Sequence, residues 1–309
     1  PAAAEATGAV AAEAGPAEAG TIGFVPTMGA LHEGHLSLVR AARAAHATVV
    51  LSIFVNPTQF DEQSDFARYT RDEGRDAELA AAAGVDVLFA PEVAEVYPEG
   101  FSTSVSVGGR LTEVLEGAER GRGHFDGVAT VVAKLLIAVG PEAAYFGEKD
   151  YQQLLVVRRL VADLGLPVRI VGCPTSREPD GLARSSRNAR LTAEERRRAG
   201  AIPRALAAIA ERARHGAADP EPLRAEALRE LAAEGVEVEY LAFVDPDSLE
   251  AVADLASPVL LAVAARIGDV RLIDNRLLSA AAPAVPGAPI APATPATPAT
   301  PATPADPKR

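Results

Sequence analysis

A chain of 309 residues with a net charge of −12 and a pI near 5.0 carries no basic footprint for a nucleic acid, so none is expected as a partner. One cysteine, Cys173, rules out an intrachain disulfide framework. No apolar run is long and pure enough to span a bilayer, and a 48% hydrophobic content suits a cytoplasmic protein with a sizeable core.

Residues 1–20 are rich in Ala, Glu and Gly and lack the basic and apolar regions of a secretory signal, so they read as a low-complexity segment. Short apolar runs follow at 21–26, 47–55, 85–90, 143–146 and 168–172. Runs of this length suit strands buried on both faces of a parallel sheet. Helical periods lie between them. Val128, Val131, Val132, Leu135, Leu136 and Val139 share one face, and so do Leu154, Val157, Val161 and Leu164. The alternation predicts an α/β fold with a Rossmann-like parallel sheet over 21–175 and ligands at the carboxyl ends of its strands.

The pattern changes after residue 175. Thr192 and Glu195 form a capping-box pair at the start of a helix expected over 191–215, and a second helix is expected over 220–234. Strands are expected at 236–244, 259–266 and 270–274, so 176–279 reads as a smaller α+β domain. Residues 280–309 are rich in Pro, Ala and Thr, with Ala-Thr-Pro repeated. Proline at every third position disfavours helix and sheet and predicts an extended tail.

The sharpest motif is PTMGALHEGH, from Pro26 to His35, placed after the first strand and opening a helix. His32 and His35 are three apart and face one side of the first turn. Gly34 between them leaves room for a close backbone approach. A helix N-terminus suits phosphate, and two imidazoles there can stabilise charge that develops in a transition state. Read alone, the pair also fits a helix cap or half of a metal site.

Three further motifs end later strands. Asn56 and Gln59 lie in NPTQF, where Pro57 stops the strand. Gly147, Lys149, Asp150 and Gln153 lie in FGEKDYQQ: a tight turn, a point charge for phosphate, an acceptor for ribose hydroxyls, and an amide one helical turn beyond the lysine. Ser185, Ser186 and Arg187 offer hydroxyls and a guanidinium to phosphates at the apparent domain junction. Each alone would pass as an ordinary polar loop.

Together these strings resemble the pantothenate synthetase family of the nucleotidyltransferase superfamily, over roughly residues 21–278. The resemblance implies ATP-dependent condensation of pantoate with β-alanine through a pantoyl adenylate, assisted by Mg²⁺, in a homodimer formed through the N-terminal domain. It assigns catalysis to His32, His35, Lys149, Ser185, Ser186 and Arg187. It assigns ATP to Met28, Gly34, His35, Gly147, Lys149, Asp150 and the Ser185–Arg187 loop. Pantoate falls to Pro26, Thr27, Met28, Asn56, Gln59 and Gln153, and the metal to Asp76. The stretch from Leu115 to Gly127 also matches, with one extra residue, which leaves open whether Arg120 or Arg122 joins His124 at the pantoate pocket or the dimer edge.

The chain departs from the family pattern at Arg75, where a second acidic residue usually stands beside Asp76, and at Arg184, where methionine usually precedes the two serines. An arginine cannot ligate Mg²⁺, and Arg184 adds a cation beside the phosphates. Two alternatives stay open on the sequence: another adenylyltransferase of the superfamily, or a non-catalytic nucleotide-binding relative. Cys173 needs no chemical role and reads as a small core residue.

Overall fold

A computed structural model describes residues 18–59 and 72–278. The expectations for residues 1–17 and for the tail at 280–309 lie outside the described residues.

Five strands form one parallel sheet in the order β3-β2-β1-β4-β5. They are β1 (Glu18–Thr27), β2 (His46–Ile53), β3 (Val87–Phe89), β4 (Ala143–Gly147) and β5 (Arg169–Cys173). Helix α1 (Glu33–Ala45) joins β1 to β2, and α2 (Glu73–Ala82) precedes β3. After two short helices, α3 (Val93–Val96) and α4 (Glu116–Arg120), the long α5 (Arg122–Val139) returns the chain to β4, and α6 (Tyr151–Leu164) leads to β5. The strand order therefore reverses between β1 and β4, which pair at Gly23↔Ala143 and Phe24↔Ala144. Such a reversal opens a crevice at the carboxyl ends of the two strands.

Alternation along β1 sends neighbouring side chains to opposite faces. Phe24 packs with Phe125, Val128, Val132, Leu154 and Leu160 of α5 and α6. Val25 packs with Leu38, Val39, Leu51 and Tyr145 beneath α1. Both faces are covered, which is why the strands read as continuous apolar runs. Strand β1 begins at Glu18, so the last three residues of the expected low-complexity segment belong to the sheet. Cys173 is 7% exposed, and burial pushes its thiol up to about 11, as suits a packing residue.

The helix expected over 191–215 is two helices, α7 (Ala193–Ala199) and α8 (Ala201–Arg214), parted at Gly200. Pro203 has no N–H to give the Ala199 carbonyl, so the hydrogen-bond ladder stops there and a new first turn tolerates the proline. The Thr192–Glu195 capping box is present at the start of α7. Helix α9 (Pro220–Ala233) follows. A second, antiparallel sheet runs β6-β7-β8: β6 (Glu237–Val244), β7 (Val259–Ile267) and β8 (Val270–Leu278). Strand β8 passes beyond the expected 274 because its pairing with β7 continues to Val259↔Leu278. One face of this sheet holds Ile202, Leu206, Leu223, Leu231 and Phe243. Leu155 of α6 packs with Val244, Leu249, Leu260 and Ala262, so the two sheet layers share a small core.

Candidate active site

The crevice at the ends of β1 and β4 is a cleft of about 390 Å³ that the C-terminal sheet closes from one side. That volume is in the range of small-molecule sites.

Strand β1 delivers the first wall. The Thr27 hydroxyl donates to the Ser52 carbonyl (2.7 Å) and accepts from the Gly29 N–H (3.2 Å), which fastens the turn to β2. Gly29 has φ +81°, a conformation natural to glycine. Asp76, from the first turn of α2, accepts from the Ala30 N–H and the Leu31 N–H, each at 2.7 Å. It is 1% exposed and lies outside the cleft lining. Both Asp76 oxygens thus hold the loop that precedes α1. Arg75 is exposed on the same turn.

His32 caps α1, with Nδ1 accepting the Gly34 N–H (3.1 Å), and His35 Nδ1 accepts the His32 N–H (3.3 Å). The two rings stack with centroids 4.1 Å apart. Since each Nδ1 accepts, each neutral ring carries its proton on Nε2, at the far edge. Burial, then Lys149 and Arg184, lowers the His32 pKa. Burial and the neighbouring His32 push His35 down to about 3. Both rings line the cleft as neutral N–H donors. A Cβ on Gly34 would stand 2.8 Å from the His32 ring, so the room Gly34 leaves is taken by that imidazole, not kept for a ligand.

The second wall comes from β2. Asn56 is 1% exposed and its amide is fully used. Its Nδ2 donates to Gln59 Oε1 and to the Gly127 carbonyl, both at 3.1 Å, and its Oδ1 accepts from Thr58 and from the Tyr97 hydroxyl. Both donors of Asn56 are thus engaged, one of them by Gln59. Gln59 is the group that Asn56 orients, and Gln59 Nε2 rests 3.0 Å from the Met28 sulfur. His124 Nδ1 lies 2.9 Å from the Gln59 carbonyl. Helix α5 approaches this turn so closely that a Cβ on Gly127 would meet the Thr58 carbonyl oxygen at 2.5 Å.

Strand β4 ends in a 3₁₀ turn at Glu148–Asp150 that brings Gly147, Lys149 and Asp150 to the cleft, with Gln153 on the first turn of α6. Lys149 Nζ is 3.5 Å from Asp150 Oδ1. This turn is tied to β8: Asn275 Nδ2 donates to the Glu148 carbonyl (2.8 Å) and the Lys149 carbonyl (2.9 Å). Gln152, also at the cleft, donates to the Leu111 and Val114 carbonyls.

Ser185, Ser186 and Arg187 form the opposite wall, with Ser185 Oγ accepting the Arg187 N–H (3.3 Å). Burial and then Arg120 lower the Arg187 pKa, which marks a crowded cationic surface. Arg120 lines the cleft, while Arg122 is exposed outside it. Glu116 gathers this wall. It accepts a bidentate pair from Arg271 of β8 (2.7 Å each), the Tyr240 hydroxyl of β6 (2.8 Å) and Arg120 Nε (3.3 Å). Burial alone would raise its carboxyl, but the Arg271 hydrogen bond and charge prevail and hold it down to about 2. Tyr240, Arg271 and Asn275 have no signal in the sequence, because their partners are distant in the chain.

Pro26, Thr27, Met28, Gly34 and the two histidines thus meet Asn56, Gln59, Gly147, Lys149, Asp150, Gln153 and the Ser185–Arg187 loop around one cavity. Of the expected site residues, only Asp76 stands away from it.

Comparison with known proteins gives a consistent answer. The family model described as pantoate-beta-alanine ligase matches residues 3–277. A pantothenate synthetase of Thermus thermophilus is 56% identical over 256 residues, covering 82% of this chain and 92% of that protein. That of Moorella thermoacetica is 53% identical over 259 residues, covering 84% and 91%. A crystal structure of the Thermus thermophilus enzyme superposes with a TM-score of 0.78 at 52% identity, covering 84% of this chain and 94% of that one. The Francisella tularensis pantoate-beta-alanine ligase complexed with beta-gamma ATP and beta-alanine gives a TM-score of 0.70 at 37% identity, covering 83% and 89%.

Proposed function

This chain belongs to the pantoate–β-alanine ligase family, and we propose that it carries out the family's ATP-dependent ligation of pantoate to β-alanine through a pantoyl adenylate in the cleft described above. In the first step the pantoate carboxylate attacks the α-phosphorus of ATP and pyrophosphate leaves. In the second, the neutral amine of β-alanine attacks the acyl carbon, AMP leaves with the bonding pair, and the amine gives up a proton to yield the amide.

The observation that carries this reading is the meeting of His32, His35, Lys149 and the Ser185–Arg187 loop on one cavity. Two Nε2–H donors stabilise phosphate oxygens, with His35 held neutral by a pKa of about 3 and the His32 pKa lowered by burial, while Lys149 and Arg187 supply positive charge. Gly147 and Asp150 serve the nucleotide. Gln59 and Gln153 take pantoate, whose hydroxyls and carboxylate both suit amides. The burial of this wall favours adenylate chemistry by excluding water.

Mg²⁺ belongs to this proposal as a companion of the nucleotide phosphates. Among the described residues no cluster of His, Cys, Asp and Glu encloses a cation, and Asp76 is occupied elsewhere, so no step here is routed through the metal. Residues 21–175 and 176–279 act as two domains facing each other over the cleft. Among the described residues no helix is long and apolar enough to cross a membrane. A homodimer through the N-terminal domain is supported by exposed Val87 and Leu88 on the edge strand β3 and by exposed Val93 and Phe101 beyond it. Light scattering on the purified chain tests that.

The reaction itself is tested by pyrophosphate release from ATP. Release that requires pantoate, with pantothenate and AMP appearing when β-alanine is added, is expected. Release independent of pantoate, or ATP binding without turnover, would overturn the reading.

A further inference from the structure

Arg184 stands at a conspicuous place in the cleft. Its backbone N–H donates to the Ser176 carbonyl (2.9 Å), beside the bridge between Arg177 and Ala183. Its Cβ lies 3.7 Å from where a Gly34 Cβ would stand, so the side chain starts against the mouth of α1. The residue lines the cleft, yet its Nε is buried and makes no hydrogen bond among the described residues. A buried guanidinium N–H without an acceptor is a standing cost that calls for a physical account.

The surroundings make the position more demanding. Lys149 and Arg184 both act on the His32 imidazole as positive charges, and the N-terminal end of α1 adds the positive pole of a helix. The carboxylates facing them are Glu178 and Asp150. Glu178 is engaged by Asn188 Nδ2 (3.1 Å) and Arg196 Nη1 (3.3 Å). Asp150 lies 3.5 Å from Lys149. Neither carboxylate hydrogen-bonds Arg184. The side chain lines the cleft among like charges, and a guanidinium fork so placed is matched by a phosphate, whose oxygens accept two of its N–H bonds at once.

We propose that Arg184 is an additional ligand for the nucleotide's phosphates, joining Lys149 and Arg187 in the cleft. The proposal rests on the ligase reading, since it needs the triphosphate in this cleft. It implies that the contribution of Arg184 grows with the number of phosphates and vanishes for a bare nucleoside.

The test compares binding of a non-hydrolysable ATP analogue and of adenosine to the parent chain, Arg184→Met and Arg184→Lys by calorimetry. The analogue is expected to bind Arg184→Met about tenfold more weakly, the loss of one charge-assisted hydrogen bond. Adenosine is expected to change by less than about twofold, and Arg184→Lys to recover part of the loss. In the ligand-free chain the His32 imidazole, followed by NMR, is expected to titrate higher in Arg184→Met, because a neighbouring cation is gone. Equal analogue affinity in the parent and Arg184→Met overturns the proposal. So does an equal loss for adenosine, which puts the guanidinium on the base, and so does an unmoved His32 titration. A parent chain that binds neither compound overturns the ligase reading along with it. Pantoate-dependent pyrophosphate release by the parent, with no effect of Arg184→Met on analogue binding, overturns the proposal alone.

Discussion

Glu116 and Arg271 are 155 residues apart in sequence and meet in a bidentate ion pair, each with about a tenth of its side chain exposed. The pair joins α4 of the nucleotide-binding layer to the last strand of the antiparallel sheet. Removing one partner of a buried pair leaves the other charge stranded and costs roughly 3–5 kcal/mol. Glu116→Ala is expected to lose stability on that scale in urea unfolding. The pH dependence fixes the cause. The folded carboxyl sits at about 2 against an ordinary 4.5, so its stabilisation is complete above about pH 4.5 and disappears as pH falls through about 2. The stability gap between parent and variant should narrow over that window; a gap that keeps its full size down to pH 2 excludes the ion pair as its source.

His35→Ala is expected to slow pantoate-dependent pyrophosphate release by about 10²–10³-fold, the usual effect of deleting one preorganised donor. Its cost in stability near neutral pH should be smaller than that effect, since the ring belongs to neither apolar cluster that flanks the sheet. Release equal to the parent's would remove His35 from the chemistry.

The same histidine predicts a flat region in the pH profile. Its folded pKa of about 3 lies well below the ordinary 6.5, so the ring stays neutral through pH 5–8 and contributes no inflection to adenylate formation there. By linkage the neutral buried ring stabilises the fold fully above pH 6.5, and that contribution is lost as pH falls toward 3. An NMR titration that places His35 near 6 would contradict both statements.

Asp76→Asn puts an amide against the Ala30 and Leu31 N–H groups, where only an acceptor fits. A loss of about 1–3 kcal/mol in stability is expected, with slower adenylate formation because the loop before α1 shifts. The Mg²⁺ concentration for half-maximal rate should stay where it is in the parent. A marked rise in that concentration would restore Asp76 as a metal ligand.

Gly127→Ala is expected to raise the KM for pantoate more than that for ATP. The added methyl meets the Thr58 carbonyl at 2.5 Å and the Gln59 nitrogen at 2.8 Å, both backbone atoms that yield only if the turn moves. Overpacking of this kind costs about 1–3 kcal/mol. Kinetics in which the two KM values rise together would separate Gly127 from the Gln59 wall.

The parallel sheet was legible because strands covered on both sides must be apolar throughout, as in Val49, Val50 and Leu51. The site was legible where motifs end those strands, since the carboxyl edge of the sheet gathers them whatever the intervening loops do. Supporting roles were not. Asp76 on a mixed helix looks like any solvated acid, and Asn56 beside Pro57 looks like a turn former; only the contacts show both to be buried and hydrogen-bonded. The break at Gly200 was hidden by a helical period that runs through it. Tyr240 reaches Glu116 across 124 residues, a distance over which no local pattern operates.

Asn275 sets both hydrogens of one amide against consecutive carbonyls, those of Glu148 and Lys149. Anchorage at two points resists twisting as well as sliding. The outer sheet is thereby geared to the turn that presents the lysine ammonium, and a tilt of the C-terminal layer carries that ammonium along with it. Displacement of this layer therefore translates directly into where positive potential falls inside the cavity.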